Sequence, residues 1–407
     1  MPNIDIGVDL GGIHLSTPFL IASGPRATSI GEIYKHAEQI AQNAWAGVVT
    51  KTIISKYGTE LKPHLWSSPD FRLMGMQNAG PALTIYNKSL VTNLKRDAEA
   101  AHAAGIKLIV SLMGSTYDEW GEMAHECEQA GADGVELNLS CPSPRAAIRS
   151  FMGGYQVGQD PELSARVVEA TVSSTRLPVI AKMTAHANDV TIVAKACEEA
   201  GSSAISGINT VRGLIGIDIQ TEVPMSSDVE GRCYCSGLSG PLIKPIALGV
   251  CANLALTVGI PVSAIGGIVN WKDAVEFMLV GASAVQLCTG VMWYGFALGR
   301  RLRRGLKSYM AEKGYSSIDN FKGHALRHIT SEIPEEYPPG WYMELSPDKC
   351  NMCRMCVIAC RDASCGAIEE ADEILRIDRS KCNLCGLCST VCKPQAITLQ
   401  KERTGLG

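Results

Sequence analysis

Nine of the 16 cysteines lie between residues 350 and 392, and eight of these form two copies of one spacing. Each copy reads C-x₂-C-x₂-C-x₃-C, and the two are formed by Cys350, Cys353, Cys356 and Cys360, and by Cys382, Cys385, Cys388 and Cys392. Three closely spaced thiolates can hold one face of an iron–sulfur cubane, and the fourth cysteine of such a run ligates the neighbouring cluster. The spacing therefore predicts two [4Fe–4S] clusters that exchange their fourth ligands.

The exchange assigns Cys350, Cys353, Cys356 and Cys392 to one cluster, and Cys382, Cys385, Cys388 and Cys360 to the other. A pair of zinc sites is the alternative. Zinc takes four ligands without exchange, usually from cysteine pairs that are further apart, so the spacing favours clusters. Cys365 is not needed as a ligand. Neighbouring clusters carry single electrons, which indicates a second cofactor that accepts electrons singly, a flavin rather than a nicotinamide.

A second candidate for chemistry is the stretch VELNLSCP at residues 135–142. Its apolar residues alternate with polar ones, which is typical of a β-strand. The strand ends in three polar side chains, Asn138, Ser140 and Cys141. This arrangement is either a satisfied turn with a buried cysteine or an active site.

Eight apolar runs alternate with amphipathic helical stretches between residue 17 and about residue 300. The helical stretches include 117–130, 161–176 and 271–280, and the strand candidates are 19–23, 46–52, 106–113, 134–140, 179–184, 204–210, 261–267 and 284–290. Strand–helix alternation repeated eight times predicts an α/β fold, a (β/α)₈ TIM barrel. A doubly wound sheet is the alternative, but it would not need eight such units.

The carboxyl ends of barrel strands are where the chemistry of this fold collects. Lys51 and Lys182 at two of these ends would place positive charge near a flavin. Glycines after the last two strands would let backbone N–H groups approach a phosphate. The cofactor-binding residues predicted from the strand ends are Ala22, Ser23, Gly24, Lys51, Thr52, Lys182, Gly266, Gly267, Thr289 and Gly290.

Two long interruptions, 53–90 and 211–245, are expected to lack regular structure and to lie over the barrel mouth, where such insertions usually carry function. The proline-rich stretch after residue 330 indicates a linker. The predicted organisation is a barrel over 1–331, a linker over 332–345 and a two-cluster ferredoxin-like domain over 346–400.

Composition excludes several classes of function. The net charge of −4 and the lack of Lys/Arg runs argue against nucleic acid and against a charged membrane surface. The first 15 residues do not have the basic and apolar regions of a signal peptide, and no uncharged apolar run is long enough to span a membrane. We therefore expect a cytoplasmic protein with no nucleic-acid or membrane partner.

Several stretches together resemble the flavin barrel of dihydroorotate and dihydropyrimidine dehydrogenases. They are KTII, ELNLSCP, GQDPEL, AKMT, INTVRGLIG, GLSGPLIKPIAL and AIGGI, and with the tail the resemblance covers roughly residues 5–395. The two-cluster tail narrows it to the dihydropyrimidine dehydrogenases, in particular to the bacterial subunit that carries only the FMN barrel and the ferredoxin-like segment. Ser239 and Gly240, in GLSGPLIKPIAL, join the predicted cofactor-binding residues.

The resemblance implies FMN as the flavin and gives roles to the residues at the barrel mouth. Cys141 matches the general acid that protonates the pyrimidine ring on the face opposite the flavin. The predicted substrate-binding residues are Asn78, Asn138, Ser140, Asn209 and Thr210. The loop 142–160 would carry Cys141 over the site. The chain departs from the pyrimidine enzymes at Ser143, where they have histidine, and in the loop 73–81, where Gly75 and Gln77 stand in place of asparagine and glutamate.

The sequence thus predicts an FMN and iron–sulfur oxidoreductase that acts on the C5–C6 double bond of a pyrimidine such as uracil or thymine. Because the chain lacks a dinucleotide-binding motif, electrons are expected from an FAD/NAD(P)H-binding iron–sulfur subunit or a ferredoxin, in a hetero-oligomer. One alternative is a dihydroorotate-type or other cyclic enamide or enone reductase. Another is an electron-transfer subunit in which the flavin is only a relay.

Overall fold

The structure is a computed structural model that describes residues 4–54, 64–67, 74–80, 84–85, 87–141, 154–228, 230–330, 340–371 and 374–402. The described chain divides into two compact units, residues 1–329 and 330–407. Ser143, Gly153 and most of the predicted 142–160 loop lie outside the described residues.

Eight parallel strands form a closed barrel in the first unit. The sheet runs from the fourth strand through the fifth to the eighth and then from the first to the third, and the third strand pairs with the fourth, which closes the sheet. This confirms the predicted TIM barrel and removes the doubly wound alternative. The strands are β1 (Phe19–Ile21), β2 (Gly47–Val49), β3 (Lys107–Met113), β4 (Gly134–Asn138), β5 (Val179–Lys182), β6 (Ala204–Gly207), β7 (Val262–Ile265) and β8 (Ala282–Leu287).

Helices surround the barrel in the order expected from strand–helix alternation. They are α1 (Ala37–Gln42), α2 (Lys88–Ala103), α3 (Tyr117–Gln129), α4 (Pro161–Val172), α5 (Val190–Glu199), α6 (Lys244–Thr257), α7 (Trp271–Leu279), α8 (Thr289–Tyr294) and α9 (Leu298–Lys313). Several of them begin at a side-chain cap: Asp160 accepts from the N–H groups of Glu162 and Leu163, just before Pro161 at the first helical position of α4.

The barrel interior changes from apolar at its base to polar towards its mouth. An N-terminal hairpin of Val8–Leu10 and Ile13–Leu15 packs into the base with inward residues such as Leu20 and Ile180. Two positions beyond Ala204 and Ala284 of this apolar layer, the inward residues Ser206 and Gln286 are buried and polar, as are Glu136 and Ser263. Since side chains alternate along a strand, the outward residues Val135, Leu137 and Val179 instead pack in the main hydrophobic cluster. The polar side chains of the barrel interior therefore lie towards its mouth.

The two interruptions are not structureless, contrary to expectation. They share a four-stranded antiparallel sheet, called here the insertion sheet, with the strand order Val211–Gly213, Ser236–Ser239, Met76–Gly80 and His64–Ser67. Short strands also occur at Ile53–Ile54, Thr84–Ile85, Ile217–Asp218 and Val223–Pro224. A strand of one interruption pairs with a strand of the other. No local sequence pattern predicts this pairing.

The second unit contains two antiparallel strand pairs and two helices, α10 (Met355–Asp362) and α11 (Leu387–Val391). Trp341–Leu345 pairs with Ile397–Lys401, and Ile368–Ala371 pairs with Ile374–Ile377. Residues 341–345 were predicted as the end of the linker, but their backbone bonds to the last strand place them inside this unit. Across the described parts of both units, no helix is both long and apolar enough to cross a membrane.

Candidate active site

A cavity of about 1260 Å³, including its open part, lies at the carboxyl end of the barrel strands. Sixteen of the predicted barrel residues line it: Ala22, Ser23, Gly24, Lys51, Thr52, Asn78, Asn138, Cys141, Lys182, Asn209, Thr210, Ser239, Gly240, Gly266, Gly267 and Thr289. The structure therefore brings together residues that are spread over 268 positions of the sequence, from Ala22 to Thr289.

Two predicted residues do not line this cavity. Ser140 is fully buried, and its hydroxyl donates to Oδ1 of Asn138 at 3.2 Å, so it holds an asparagine instead of facing the opening. Gly290 lies inside α8, where a Cβ would come within 2.7 Å of the carbonyl oxygen of Ile268. Close packing of backbone explains a glycine at this position.

Glu136 is the centre of a polar network beneath the cavity. Its side chain is completely buried and accepts from Lys182 Nζ at 2.9 Å, from Ser206 Oγ at 2.8 Å and from Gln286 Nε2 at 2.8 Å. The Gln286 amide also donates to Ser263 Oγ at 3.2 Å. A buried carboxylate needs such partners, and here three other strands, β5, β6 and β8, supply them.

Asparagine side chains connect the strand ends into a second network. Asn138 Nδ2 donates to Thr52 Oγ1 at 2.9 Å, and that hydroxyl lies 2.9 Å from Ser111 Oγ. Asn209 Nδ2 donates to Asn138 Oδ1 at 3.2 Å and to Ser140 Oγ at 3.0 Å. Asn209 Oδ1 accepts from the backbone N–H of Thr210 at 2.8 Å. The amide hydrogens of Asn209 are both engaged within the protein, and Asn138 keeps one free.

Cys141 is buried and lines the cavity at the end of β4. Its carbonyl packs closely on Gly154, which has a positive φ of 67° and would carry a Cβ only 2.8 Å from that oxygen. Tyr234, from the second interruption, also lines the cavity. Burial, together with the nearby thiols of Cys141 and Cys233, raises the pKa of Tyr234 to about 12, so its hydroxyl stays protonated and can donate.

Gln77 and Asn78 are neighbours on one strand of the insertion sheet but have different surroundings. Gln77 is fully buried, donates to Ser236 Oγ at 2.8 Å and accepts from the Ile215 N–H at 2.8 Å, so it ties the two interruptions together. It does not line the cavity. Asn78 lines the cavity, and its buried Oδ1 has no hydrogen-bond partner among the described residues.

Gly237 explains how Asn78 comes beside the strand-end residues. It pairs with Asn78 in the insertion sheet, and a Cβ on it would collide with the side chain of Thr210. Only glycine lets the sheet approach β6 this closely. Asn78 and Thr210 consequently line the same part of the cavity wall.

Lys51 and Lys182 are the two cations on the cavity wall formed by described residues, and no carboxylate lines that wall. Lys182 is neutralised by Glu136, whereas no described carboxylate forms an ion pair with Lys51. Burial lowers the pKa of Lys51, and the neighbouring Cys288 opposes this effect. Burial in turn raises the pKa of the Cys288 thiol, against the influence of Lys51 and Lys182. Lys51 thus gives the cavity an unbalanced positive charge.

The cysteines of the second unit line two separate cavities in the exchanged pattern. Cys350, Cys353, Cys356 and Cys392 line one cavity, and Cys382, Cys385, Cys388 and Cys360 line the other, together with Cys365. The exchanged residues each accept from backbone, Cys360 Sγ from Ala367 N–H at 3.2 Å and Cys392 Sγ from Ala396 N–H at 3.1 Å. Such N–H···S bonds favour a ligating thiolate.

The arrangement of these cysteines also bears on the zinc alternative. Within the described ranges, no three potential ligands converge closely enough to hold a single metal ion. A zinc site needs four ligands around one ion, whereas cubane ligands stand apart by the width of the cluster. The all-cysteine donor set in this exchanged arrangement fits 4Fe–4S ligation.

Comparison with known proteins places the barrel in a family. Residues 6–310 match the dihydroorotate dehydrogenase family, and residues 374–397 match a 4Fe–4S binding domain. The chain belongs to the dihydroorotate dehydrogenase family. It is therefore an oxidoreductase of a flavoprotein family with a 4Fe–4S motif in its tail. The 4Fe–4S match includes Cys382, Cys385, Cys388 and Cys392 and leaves out the first cysteine run.

Three relatives illustrate the range of this family. The chain is 32% identical to the NAD-dependent dihydropyrimidine dehydrogenase subunit PreA of Escherichia coli, over 91% of this chain and 88% of the relative. It is 36% identical to the catalytic subunit of dihydroorotate dehydrogenase B of Thermococcus kodakarensis, over 79% and 98%. It is 30% identical to chloroplastic dihydropyrimidine dehydrogenase of Arabidopsis thaliana, over 80% and 78%.

Several cavity and network residues were not predicted from the sequence. Glu136 and Gln286 are single polar residues inside apolar strands, and their inward alternation with Asn138 and with Ala284 was the available signal. Tyr234, Ser236 and Cys288 also line the cavity. Tyr234 and Ser236 lie in an interruption whose register no local pattern reveals, and Cys288 was counted only among the scattered cysteines.

Proposed function

We propose that this oxidoreductase adds or removes two hydrogens across the C5–C6 bond of a neutral pyrimidine such as uracil or thymine. It would use FMN in the barrel cavity, two [4Fe–4S] clusters in the second unit and Cys141 as the general acid. The observation that carries this proposal is the position of Cys141 on the same cavity as the residues expected to hold the flavin and the ring.

Two features of the cavity fit FMN. Gln286 lines it with a buried Oε1 that has no partner among the described residues, so a ligand with an N–H is expected there. Gly266 and Gly267 follow β7 with positive φ values of 133° and 77°, and their Cβ positions are filled by Ala247 and Lys244. Only glycines let backbone line the cavity at this point, which suits a phosphate. FMN would supply two-electron chemistry towards the ring and one-electron chemistry towards the clusters.

The side chains of the cavity wall would handle the substrate. Asn78 Oδ1 would accept a ring N–H, since it is buried and otherwise without a donor. The free hydrogen of Asn138 Nδ2 would donate to a ring carbonyl, while Asn209 keeps Asn138 in place. Cys141 would give its proton to the ring carbon and take it back in the reverse direction.

The match to the Escherichia coli subunit is longer than the match to the dihydroorotate dehydrogenase B subunit. This difference in length supports the pyrimidine reaction over the dihydroorotate reaction. The Escherichia coli alignment covers 378 residues, more than the 329 of the barrel unit, so it must extend into the cysteine-rich unit. The match to the archaeal dihydroorotate dehydrogenase B catalytic subunit covers 324 residues. The electron donor would be a separate FAD/NAD(P)H-binding iron–sulfur subunit or a ferredoxin, which makes a hetero-oligomer.

Anaerobic photoreduction tests this function directly. The purified protein is reduced, mixed with uracil, thymine or orotate, and followed by the return of oxidised flavin absorbance. We expect rapid reoxidation by uracil or thymine and slow reoxidation by orotate. Reoxidation by none of these rings would favour the flavin relay. A preparation without FMN, or with zinc in place of iron, would contradict the cofactor assignment.

A dihydroorotate-type reaction is the second candidate, and Lys51 is the observation that favours it. No described carboxylate balances this buried cation, which would attract an anionic substrate as well as an anionic reduced flavin. Faster reoxidation by orotate than by uracil in the same experiment would select this reaction.

A further inference from the structure

The Gln286 amide has both of its hydrogens committed within the barrel floor. Nε2 donates to Glu136 Oε2 at 2.8 Å and to Ser263 Oγ at 3.2 Å. The residue is 1% exposed. Both hydrogens of Nε2 are therefore bonded within the floor, and Oε1 is the group left to accept from a ligand in the cavity.

Glu136 fixes this orientation. A flipped amide would bring Oε1 against Glu136 Oε2, two acceptors at the distance of a hydrogen bond, which is repulsive. The Glu136 carboxylate is itself held by Lys182 Nζ at 2.9 Å and Ser206 Oγ at 2.8 Å, so it cannot easily turn away. The same carboxylate thereby positions two residues of the cavity wall, Gln286 and Lys182.

Gln286 Oε1 remains a buried acceptor without a donor among the described residues. An acceptor left unpaired in this way is costly, so the ligand of the cavity floor should bring a donor. The oxidised flavin ring offers one N–H group, at N3, between two carbonyls; its other polar ring atoms are acceptors. Lys182 beside Gln286 provides a donor for one of those acceptors.

We propose that Gln286 accepts the hydrogen bond from N3–H of the flavin, and that Glu136 is the positioning residue that aims both Gln286 and Lys182 at the ring. The inference rests on the FMN site of the proposed function and assigns to it residues that lie outside the predicted set. The pyrimidine edge of the ring would then lie at Gln286 and Lys182.

The test compares FMN with 3-methyl-FMN, in which a methyl group replaces the hydrogen on N3 and removes the donor. Dissociation constants are measured by fluorescence quenching on protein from which the flavin has been removed. The wild type should prefer FMN by at least about tenfold, the effect of one buried hydrogen bond. Gln286→Met, which keeps the size but lacks the acceptor, should bind FMN about tenfold more weakly and 3-methyl-FMN nearly as before, so that the preference shrinks by the same factor.

Two further variants separate positioning from general disturbance. Glu136→Gln lets the Gln286 amide turn and should reduce the preference for FMN. Ser263→Ala keeps the bond between Gln286 and Glu136 and should retain that preference. Unfolding temperatures of all variants show which remain folded. Equal binding of the two flavins to the wild type, an undiminished preference for FMN in Gln286→Met, or a reduced preference in Ser263→Ala would each overturn the assignment. Failure of the wild type to bind FMN at all would instead contradict the proposed function.

Discussion

Asn209 donates from its amide to the amide oxygen of Asn138 at 3.2 Å, so the ends of two barrel strands are joined by side chains. Both residues were predicted to bind the substrate. The bond means that Asn209 works mainly by holding Asn138, because its own hydrogens are already used. The groups left for a ring are therefore few, and each of them can be tested alone.

Replacing Cys141 with serine should remove the proton donor and leave the flavin site intact. Serine keeps the size but has a far higher pKa, so the substrate half-reaction should slow by roughly 10²–10⁴-fold. FMN content and photoreduction should stay near the wild-type values. Stopped-flow reoxidation by uracil measures the effect, with the exposed Cys235→Ser as a control. A wild-type rate in Cys141→Ser would show that the strand-end cysteine is structural.

Removing the amide of Asn78 should weaken substrate binding. Asn78→Ala loses the buried acceptor, so affinity for uracil should fall by about tenfold, with unchanged FMN content. Asn78→Asp keeps an acceptor at the same position but adds negative charge. It should retain uracil and bind orotate still more weakly. Flavin difference spectra give both affinities, and equal uracil affinity in wild type and Asn78→Ala would rule out the contact.

Exchange of ligands between the cysteine runs makes a prediction about iron. Cys360 belongs to the first run by sequence but lines the second cavity, which it shares with Cys365. Cys360→Ala should therefore disturb the cluster held by Cys382, Cys385 and Cys388, with loss of up to half of about eight irons. Cys365→Ala is the matched control and should retain full iron. An iron content unaffected by Cys360→Ala would contradict the exchange.

The buried pair of Glu136 and Lys182 should be costly to break from one side. The two side chains are 0% and 6% exposed. Glu136→Ala leaves an unpaired buried ammonium and should lower the free energy of unfolding by about 3–5 kcal/mol. The double variant Glu136→Leu with Lys182→Met removes both charges, so its free energy of unfolding should fall by less. Urea unfolding of the barrel signal measures both, and a larger loss in the double variant would argue against this account.

Tyr234 should make stability depend on alkaline pH. Its folded pKa of about 12 lies above the ordinary 10.0, so the neutral phenol stabilises the folded state at pH values below 10. That contribution should be lost as the pH rises from about 10 to about 12. Tyr234→Phe cannot ionise, so its free energy of unfolding should fall less across this window. Identical pH profiles for the two proteins would mean that Tyr234 ionises normally.

Strand positions and the cavity lining could be predicted because they depend on local pattern. The alternation that placed Val135 and Leu137 on one face put Asn138 on the other, and the fold then gathers strand ends at one rim. The spacing of the cysteines was equally local. Their cavities follow the predicted exchange because each run turns back on itself and ends beside the other.

The remaining features depend on contacts between distant residues. Nothing beside Gln77 in the sequence indicates that it binds the Ile215 backbone, 138 residues away, while Asn78 faces the cavity. The buried carboxylate of Glu136 was missed for a similar reason. Its three partners lie on three other strands, and each looks like an isolated polar residue in an apolar run.

The insertion sheet has a consequence for the order in which the chain folds. Gln77 and Ser236, hydrogen-bonded on adjacent strands, are 159 residues apart in sequence, and the barrel strands β3–β6 all lie between them. Closing so long a loop is entropically unfavourable until intervening contacts form, so this pairing should be among the last. The part of the cavity wall that the insertion sheet supplies would then form after strands β3–β6 have paired. Catalytic competence would then arrive as a late event, after most of the barrel is already stable.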